Sequence, residues 1–400
     1  MSLSSILKHR GLIALGASLA LVIAFYVYVI DASSRALIDL DIYLQAARAL
    51  THGEDIYQRA FTTTDRWGRP IQLYYLYPPL LAHALSLCAG LSAPVVKLGW
   101  CLLNFTLMLV TSVTLAKIVE ASWWGARSLA ARTLSIGFFV LCFEPLYVGN
   151  GDGQVTAIVL ALLALTTYAS TRGSDLFGGA MLALAIQIKM SPAILLLAPI
   201  IFKRWRFLGA CGATSLLLAL FTVIFGGGVK PFVDFAYSVT QTVDDAVFQG
   251  HVFNFDLNRA LLAPLGIADF PLARLLIKLG MGLFAIIGTL MIRSQGGNGL
   301  LRAYGFLITC MIVASPIVWF HHLAWMIIPL AILSMKPAAS SDARLKHLTL
   351  TLGLYFALSQ SYLLNIWVRK IIPSFVPIAL LVPLILLLGT AVALQRQRRP

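Results

Sequence analysis

The chain has 400 residues, 59% of them hydrophobic and only 12% charged, with a net charge of +14. That apolar fraction excludes a soluble globular domain, which could not hide so much surface, and leaves a polytopic membrane protein. Cys88, Cys101, Cys142, Cys211 and Cys310 stand singly in apolar stretches with no CxxC pair, which argues against a disulfide framework or a zinc site.

The first apolar run, Gly11–Ile30, follows Lys8-His9-Arg10 and lacks a small-residue cleavage site before Asp31, so it reads as a retained span. A polar island then runs from Asp31 to Pro79. Loops of that length inside a compact protein are usually functional. Within it, Asp39–Leu50 reads as a short amphipathic helix with Ile42, Ala46, Ala49 and Leu50 on one face. Asp39 and Asp41 fall at its start, where the helix dipole and free N–H groups favour carboxylates, so the plain reading makes one of them an N-cap. Leu80–Leu91 is short and follows Pro78-Pro79, which predicts a helix lying at the interface rather than crossing.

Hydropathy predicts about twelve spans, near 11–30, 95–116, 133–148, 154–170, 176–188, 192–202, 207–225, 272–292, 302–317, 323–335, 347–365 and 371–394. The run 176–202 is too long for one helix and is broken by Lys189 and Pro192, so it is split there. The fold expected is all-α, residues 1–400 forming one membrane domain with outer loops 31–94 and 226–271. On this alternation only three acids, Glu120, Asp175 and Asp342, accompany the basic residues of the cytoplasmic segments, and the whole +14 excess falls there. The charge thus follows the positive-inside rule and is no sign of a nucleic-acid partner. Asp39, Asn150–Gln154, Lys189 and His321-His322 all fall on the outer face. The second loop sets Asp244-Asp245, His251, Asn254, Asp256 and Asn258 among Phe248, Phe253 and Phe255, which suits either a sugar platform or an interfacial aromatic belt.

Several of these segments carry a resemblance. Asp39-Leu40-Asp41-Ile42-Tyr43, Ile56-Tyr57 after Gly53, Tyr77-Pro78-Pro79-Leu80, Gly153-Gln154-Val155, Ile188-Lys189-Met190-Ser191-Pro192 and Ser315–His322 occur in order over nearly the whole chain. The set resembles the polyprenyl-phosphate-dependent glycosyltransferases of family 87, of the C-type fold, related to mycobacterial α-1,2-mannosyltransferases. The resemblance implies transfer of a hexosyl residue, mannose by preference, from a polyprenyl-phosphate donor to a lipid or glycan acceptor. The reaction would invert the anomeric centre at the outer face of the cytoplasmic membrane, without a cofactor. Asp39 matches the family's general base, just ahead of the helix. Asp41 departs from the family pattern at its position and is the second choice; with Tyr43 it is placed among the substrate-binding residues.

The other candidates each have two readings. A lone Lys189 in an apolar run is expensive, so it either holds the donor phosphate or snorkels from a short helix. One of His321 and His322 could donate to that phosphate, and Trp319 could pack on sugar or prenyl chain. Neighbouring histidines point to different faces of a helix, which disfavours a metal site. Asn150-Gly151-Asp152-Gly153-Gln154 lacks the spacing of a phosphate loop and reads as a tight connection whose Gln154 reaches the site, or as an ordinary helix start. The rival from another class is a carrier or flippase for a lipid-linked sugar or small solute. It would place its ionisable groups near mid-membrane on broken helices, whereas an enzyme would gather them at one surface. A non-catalytic assembly factor is a third option.

Overall fold

The computed structural model describes residues 16–65, 68–121, 128–226, 228–243, 271–315, 317–335, 341–361 and 378–394. The polar and aromatic residues of the second loop from Asp244 to Asn258, and Pro316, lie outside them. The protein is an all-α integral membrane protein. In chain order its helices are α1 (Gly16–Asp31), α2 (Ile38–Thr51), α3 (Pro79–Ser86), α4 (Ala93–Ile118), α5 (Leu129–Leu141), α6 (Glu144–Gly151), α7 (Thr156–Thr171) and α8 (Asp175–Ile188). They continue with α9 (Leu197–Ile201), α10 (Trp205–Phe225), α11 (Lys230–Val243), α12 (Pro271–Ser294), α13 (Gly299–Ala314), α14 (Ile327–Leu333), α15 (Ser341–Ser359) and α16 (Ile378–Ala393).

Among the described residues, three helices are long and apolar enough to cross a membrane: α4, α10 and, from Leu272, α12. A fourth crossing results if α5 and α6 count as one span, bent by 61°. The break falls at Cys142-Phe143, ahead of Pro145 in the first turn of α6, where a ring without an N–H is tolerated. The remaining apolar helices are 10–17 residues long, shorter than the roughly 20 residues a straight crossing needs. α13 is buried on every face from Leu301 to Val313 and forms the axis of the bundle, with α7, α12, α14 and α16 around it. α10 is its opposite. Only Phe207, Cys211 and Thr222 are buried along it, and Leu216, Leu217 and Ile224 point outward, as on a lipid-facing helix.

Two antiparallel helices set the ends of the molecule. α7 starts just after Gln154 and ends beside Arg172; α8 starts at Asp175 and ends at Ile188, just before Lys189. At one end, Glu120 pairs with Arg132 at 3.2 Å and with Arg172 at 3.0 Å, and Asp175 pairs with Arg204 at 2.6 Å. These residues come from three segments that charge counting alone assigned to one side. At the other end lie Gln154, Lys189 and the loop that follows α1. The 176–202 run breaks at Lys189, whose backbone is extended (φ −150°, ψ 125°), and resumes as a 3₁₀ turn, Ser191–Leu196, before α9. Pro192 enforces the break, because it has no N–H to continue the helix.

The loop after α1 also contains a two-stranded antiparallel hairpin, β1 (Ala60–Thr64) and β2 (Pro70–Tyr74), with Phe61 opposite Leu73. An all-helical reading missed it. Its sequence signal is the run Phe61-Thr62-Thr63-Thr64, whose aromatic and β-branched side chains prefer a strand, followed by a turn in which Arg69 N–H donates to Asp65 Oδ1 at 2.9 Å.

Candidate active site

α2 positions the site. Its N-terminal turn rests directly on the 150–154 turn, where the Asp39 N–H donates to the Asp152 carbonyl at 2.8 Å. Gly153 makes this contact possible. Its φ is +77°, and a Cβ there would lie 2.8 Å from Leu40 Cβ and 2.9 Å from Leu37 Cβ. Any other residue would be strained and would also push α2 away. Gly153→Ala should therefore displace Asp39 together with the first turn of α2. The accompanying stability loss should be about 1–3 kcal/mol, from overpacking and strain. Activity per folded molecule, with folding followed by size-exclusion profile, separates the two.

Leu37 is the N-cap of α2, with no side-chain capping bond, and Asp39 stands at the second helical position. The N-cap reading of Asp39 and Asp41 is thus corrected: neither carboxylate is the cap. On the face shared by Asp39 and, one turn later, Tyr43, a polar cluster assembles. Tyr43 and Tyr77 both donate to Gln154 Oε1, at 3.2 Å and 2.7 Å. Gln154 is 5% exposed, and its side-chain oxygen is satisfied by these two phenols. It lies before α7, which starts at Thr156 with Val155 as N-cap, so it is a buried connector rather than a helix start. Burial, followed by the Asp39 carboxylate, pushes the Tyr77 hydroxyl up; burial foremost, with Tyr77 and Asp39 adding, does the same to Tyr43. Both phenols are neutral donors.

Lys189 lies within reach of the Asp39 charge. Its Nζ is 2.6 Å from His322 Nε2, 5.3 Å from the Tyr77 ring centre and 5.5 Å from that of Trp325. Burial lowers the ammonium to about 7, opposed by the negative charge of Asp39. The Trp319 N–H donates to His322 Nδ1 at 3.1 Å, which leaves the ring proton on Nε2, aimed at Lys189. A protonated Nε2 can meet Nζ only as a donor to a neutral amine, so hydrogen bonding and burial agree on the unliganded state. His322 is held flat against Trp325, with ring centres 5.1 Å apart and planes at 14°, and Trp325 is fixed by donating to the Thr156 carbonyl at 3.2 Å.

The structure thus brings together Asp39, Tyr43, Gln154, Lys189 and His322. His321 is buried behind them, edge-on to His322 at 4.5 Å between ring centres, against Gly149 of α6. Trp319 contributes through its backbone, and its side chain is half-buried. Asp41 is not part of the cluster. Two residues from Asp39 on a helix means about 200° around the axis, and Asp41 instead accepts from Gln45, which also donates to the Thr62 carbonyl of the hairpin. Sequence reasoning missed Trp325, for which the only signal is its spacing three residues from His322, and assigned no role to Tyr77. Among the described residues, no three His, Cys, Asp or Glu side chains group as metal ligands.

This arrangement gathers a carboxylate, a lysine amine that can take up a proton and several neutral donors at one end of the bundle. Comparison with known proteins places the chain among enzymes that handle lipid phosphates. The profile of Glycosyltransferase family 87 matches residues 75–316. A polyprenol-phosphate-mannose-dependent alpha-(1-2)-phosphatidylinositol mannoside mannosyltransferase of Mycolicibacterium smegmatis is 25% identical over 312 residues, 72% of this chain and 68% of that one. The protein of the same description from Mycobacterium tuberculosis is 26% identical over 306 residues, with the same shares covered.

Proposed function

The chain belongs to glycosyltransferase family 87, and from that premise we propose that it transfers a hexosyl residue, mannose by analogy with its relatives, from a polyprenyl-phosphate donor to a glycolipid or glycan acceptor. Asp39 takes the proton of the acceptor hydroxyl as that oxygen attacks the anomeric carbon, and the polyprenyl phosphate leaves from the opposite face with inversion. Lys189, protonated when the donor is bound, and His322 Nε2–H hold the leaving phosphate. Tyr43 and Tyr77, locked by Gln154, shape the sugar pocket. The membrane is the cytoplasmic membrane, and the reaction takes place on its outer face.

The observation that carries this reading is the meeting of three groups: Lys189 Nζ stands 2.6 Å from His322 Nε2, and the Asp39 carboxylate lies near enough for its charge to act on Lys189. An inverting transfer needs a base on one side of the anomeric carbon and a phosphate clamp on the other. The gathering of these groups at the end of the bundle opposite Glu120, Arg172 and Arg204 supports an enzyme rather than a carrier, whose ionisable groups belong near mid-membrane. The test is radiolabelled transfer by the purified full chain in lipid nanodiscs. Polyprenyl-phosphate mannose should support transfer to a mannosylated lipid, and a nucleotide-linked mannose at the same concentration should not. Equal use of the nucleotide sugar would refute the donor assignment.

A further inference from the structure

A cavity of about 290 Å³ lies away from the Asp39 cluster. Its walls are the C-terminal turn of α2, the turn at residues 53–57, α3, the end of α10 and the start of α11. None of the residues assigned above lines it. Thr51 at its rim is twelve residues from Asp39 along α2, or about 18 Å at the rise of an α-helix.

Its wall holds a polar group without a partner. His83 is 7% exposed, and its Nε2 makes no hydrogen bond. The ring end packs on Gly226, where any Cβ would collide with the imidazole; both residues line the cavity. A buried nitrogen left unpaired is costly, a cost that a ligand hydroxyl would remove after a small shift of the ring. Three carboxylates, Glu54, Asp55 and Asp234, share the wall with one ammonium, Lys230. Lys230 is already paired with Asp55 at 3.0 Å and with Asp234 at 2.5 Å. Glu54 is paired in turn with Arg59, so the three carboxylates exceed their two cations by one; that residual negative charge disfavours a phosphate and suits a neutral polyol, whose hydroxyls donate to carboxylates. Phe225, 71% exposed at the edge, offers a flat apolar face to a sugar ring.

We propose that this cavity is a second carbohydrate subsite, which holds a neutral hexose unit of the acceptor several sugar units away from the hydroxyl that is glycosylated. The assignment rests on the reading of Asp39 as the base at the reacting end. It gives the enzyme a preference for acceptors long enough to span from α2's first turn to its last, and it deepens the proposed function by naming an elongated acceptor.

Two measurements on the full chain in nanodiscs test it. The first needs no activity. With the native cysteines replaced, Thr51→Cys is labelled by an impermeant maleimide in the presence of free α-mannotetraose, of a lipid-linked tetramannoside, or of mannose 6-phosphate. The lipid-linked tetramannoside should slow labelling several-fold, mannose 6-phosphate should not, and adding His83→Leu should remove the protection. The second compares transfer to lipid-linked tetramannoside and monomannoside. His83→Leu and, from an exposed position, the cavity-blocking Thr51→Trp should each lower the kcat/KM ratio of long to short acceptor by about tenfold, through KM, the size expected for one or two lost hydrogen bonds. Labelling unaffected by the lipid-linked tetramannoside, or equal protection by mannose 6-phosphate, would overturn the subsite. An unchanged ratio with protection by the free tetrasaccharide would assign the cavity to a soluble glycan and overturn the acceptor role. A failed base assignment has a different signature: full transfer by Asp39→Asn, with the maleimide protection intact.

Discussion

Asp39→Asn should lower hexosyl transfer at saturating donor by about 10²–10⁴-fold, the usual contribution of a general base, while leaving expression and insertion near normal. The amide has the shape of the carboxylate but cannot take a proton. The variant is also gentle on the fold. Leu37 is the N-cap of α2 and no side chain caps it, and the backbone bond from Asp39 N–H to the Asp152 carbonyl does not depend on the side chain. What is lost structurally is a carboxylate in the first turn of a helix, worth about 0.3–1 kcal/mol. Asp41→Asn is the matched control. Asp41 also stands in that first turn but bonds Gln45 on another side of α2, so it carries the same dipole penalty without the catalytic one. A similar small decline in both variants would move the base elsewhere, and robust transfer by Asp39→Asn alone would refute its assignment.

How much of this was legible in the sequence differs from element to element. The break at Lys189 was, because a cation and a proline inside an apolar run leave few ways to satisfy both charge and backbone. The co-location of Gln154, Lys189 and His322 at one end was also legible, since alternating spans and a one-sided charge excess fix which loops share a surface. The β-hairpin was hidden because five-residue strands carry a weak period beside the strong helical signal around them. The side of α2 that faces the site could not be read from periodicity. Leu40, Ile42, Tyr43, Leu44, Ala46, Ala47 and Ala49 are all buried, so the helix has no single wet face and Asp39 and Asp41 look alike. What separates them is the docking of Gly153 on Leu37 and Leu40, a contact between segments more than a hundred residues apart. The role of Trp325 was out of reach for the same reason: its ring matters only once His322 lies flat upon it.

Lys189→Met should weaken donor binding by roughly 10–100-fold, the equivalent of a charge-assisted hydrogen bond of about 1.5–3 kcal/mol, with the protein still folded. Methionine fills the space between Tyr77 and Trp325 without a charge, so the loss appears in the KM for the polyprenyl-phosphate sugar. Lys189→Arg should retain more, since it keeps the charge and changes the shape of the head group. A pH series separates phosphate binding from mere solvation of a stranded lysine. In the free protein, burial brings the ammonium down to about 7 against the opposing pull of Asp39, and a bound phosphate stabilises the cation and raises its pKa. Donor affinity should therefore be full below pH 7 and fall as the pH rises through that value, because each binding event above it must first take up a proton. The arginine variant stays charged throughout this range, so its donor affinity should be flat from pH 6 to about 9. His322 does not reproduce the trend, since its Nδ1 is occupied by the Trp319 N–H and its Nε2 proton is present in the neutral ring. Donor KM measured across that pH range in the three proteins decides the matter: a wild-type profile as flat as that of Lys189→Arg, or a Lys189→Met enzyme with unchanged KM, would return Lys189 to a structural role.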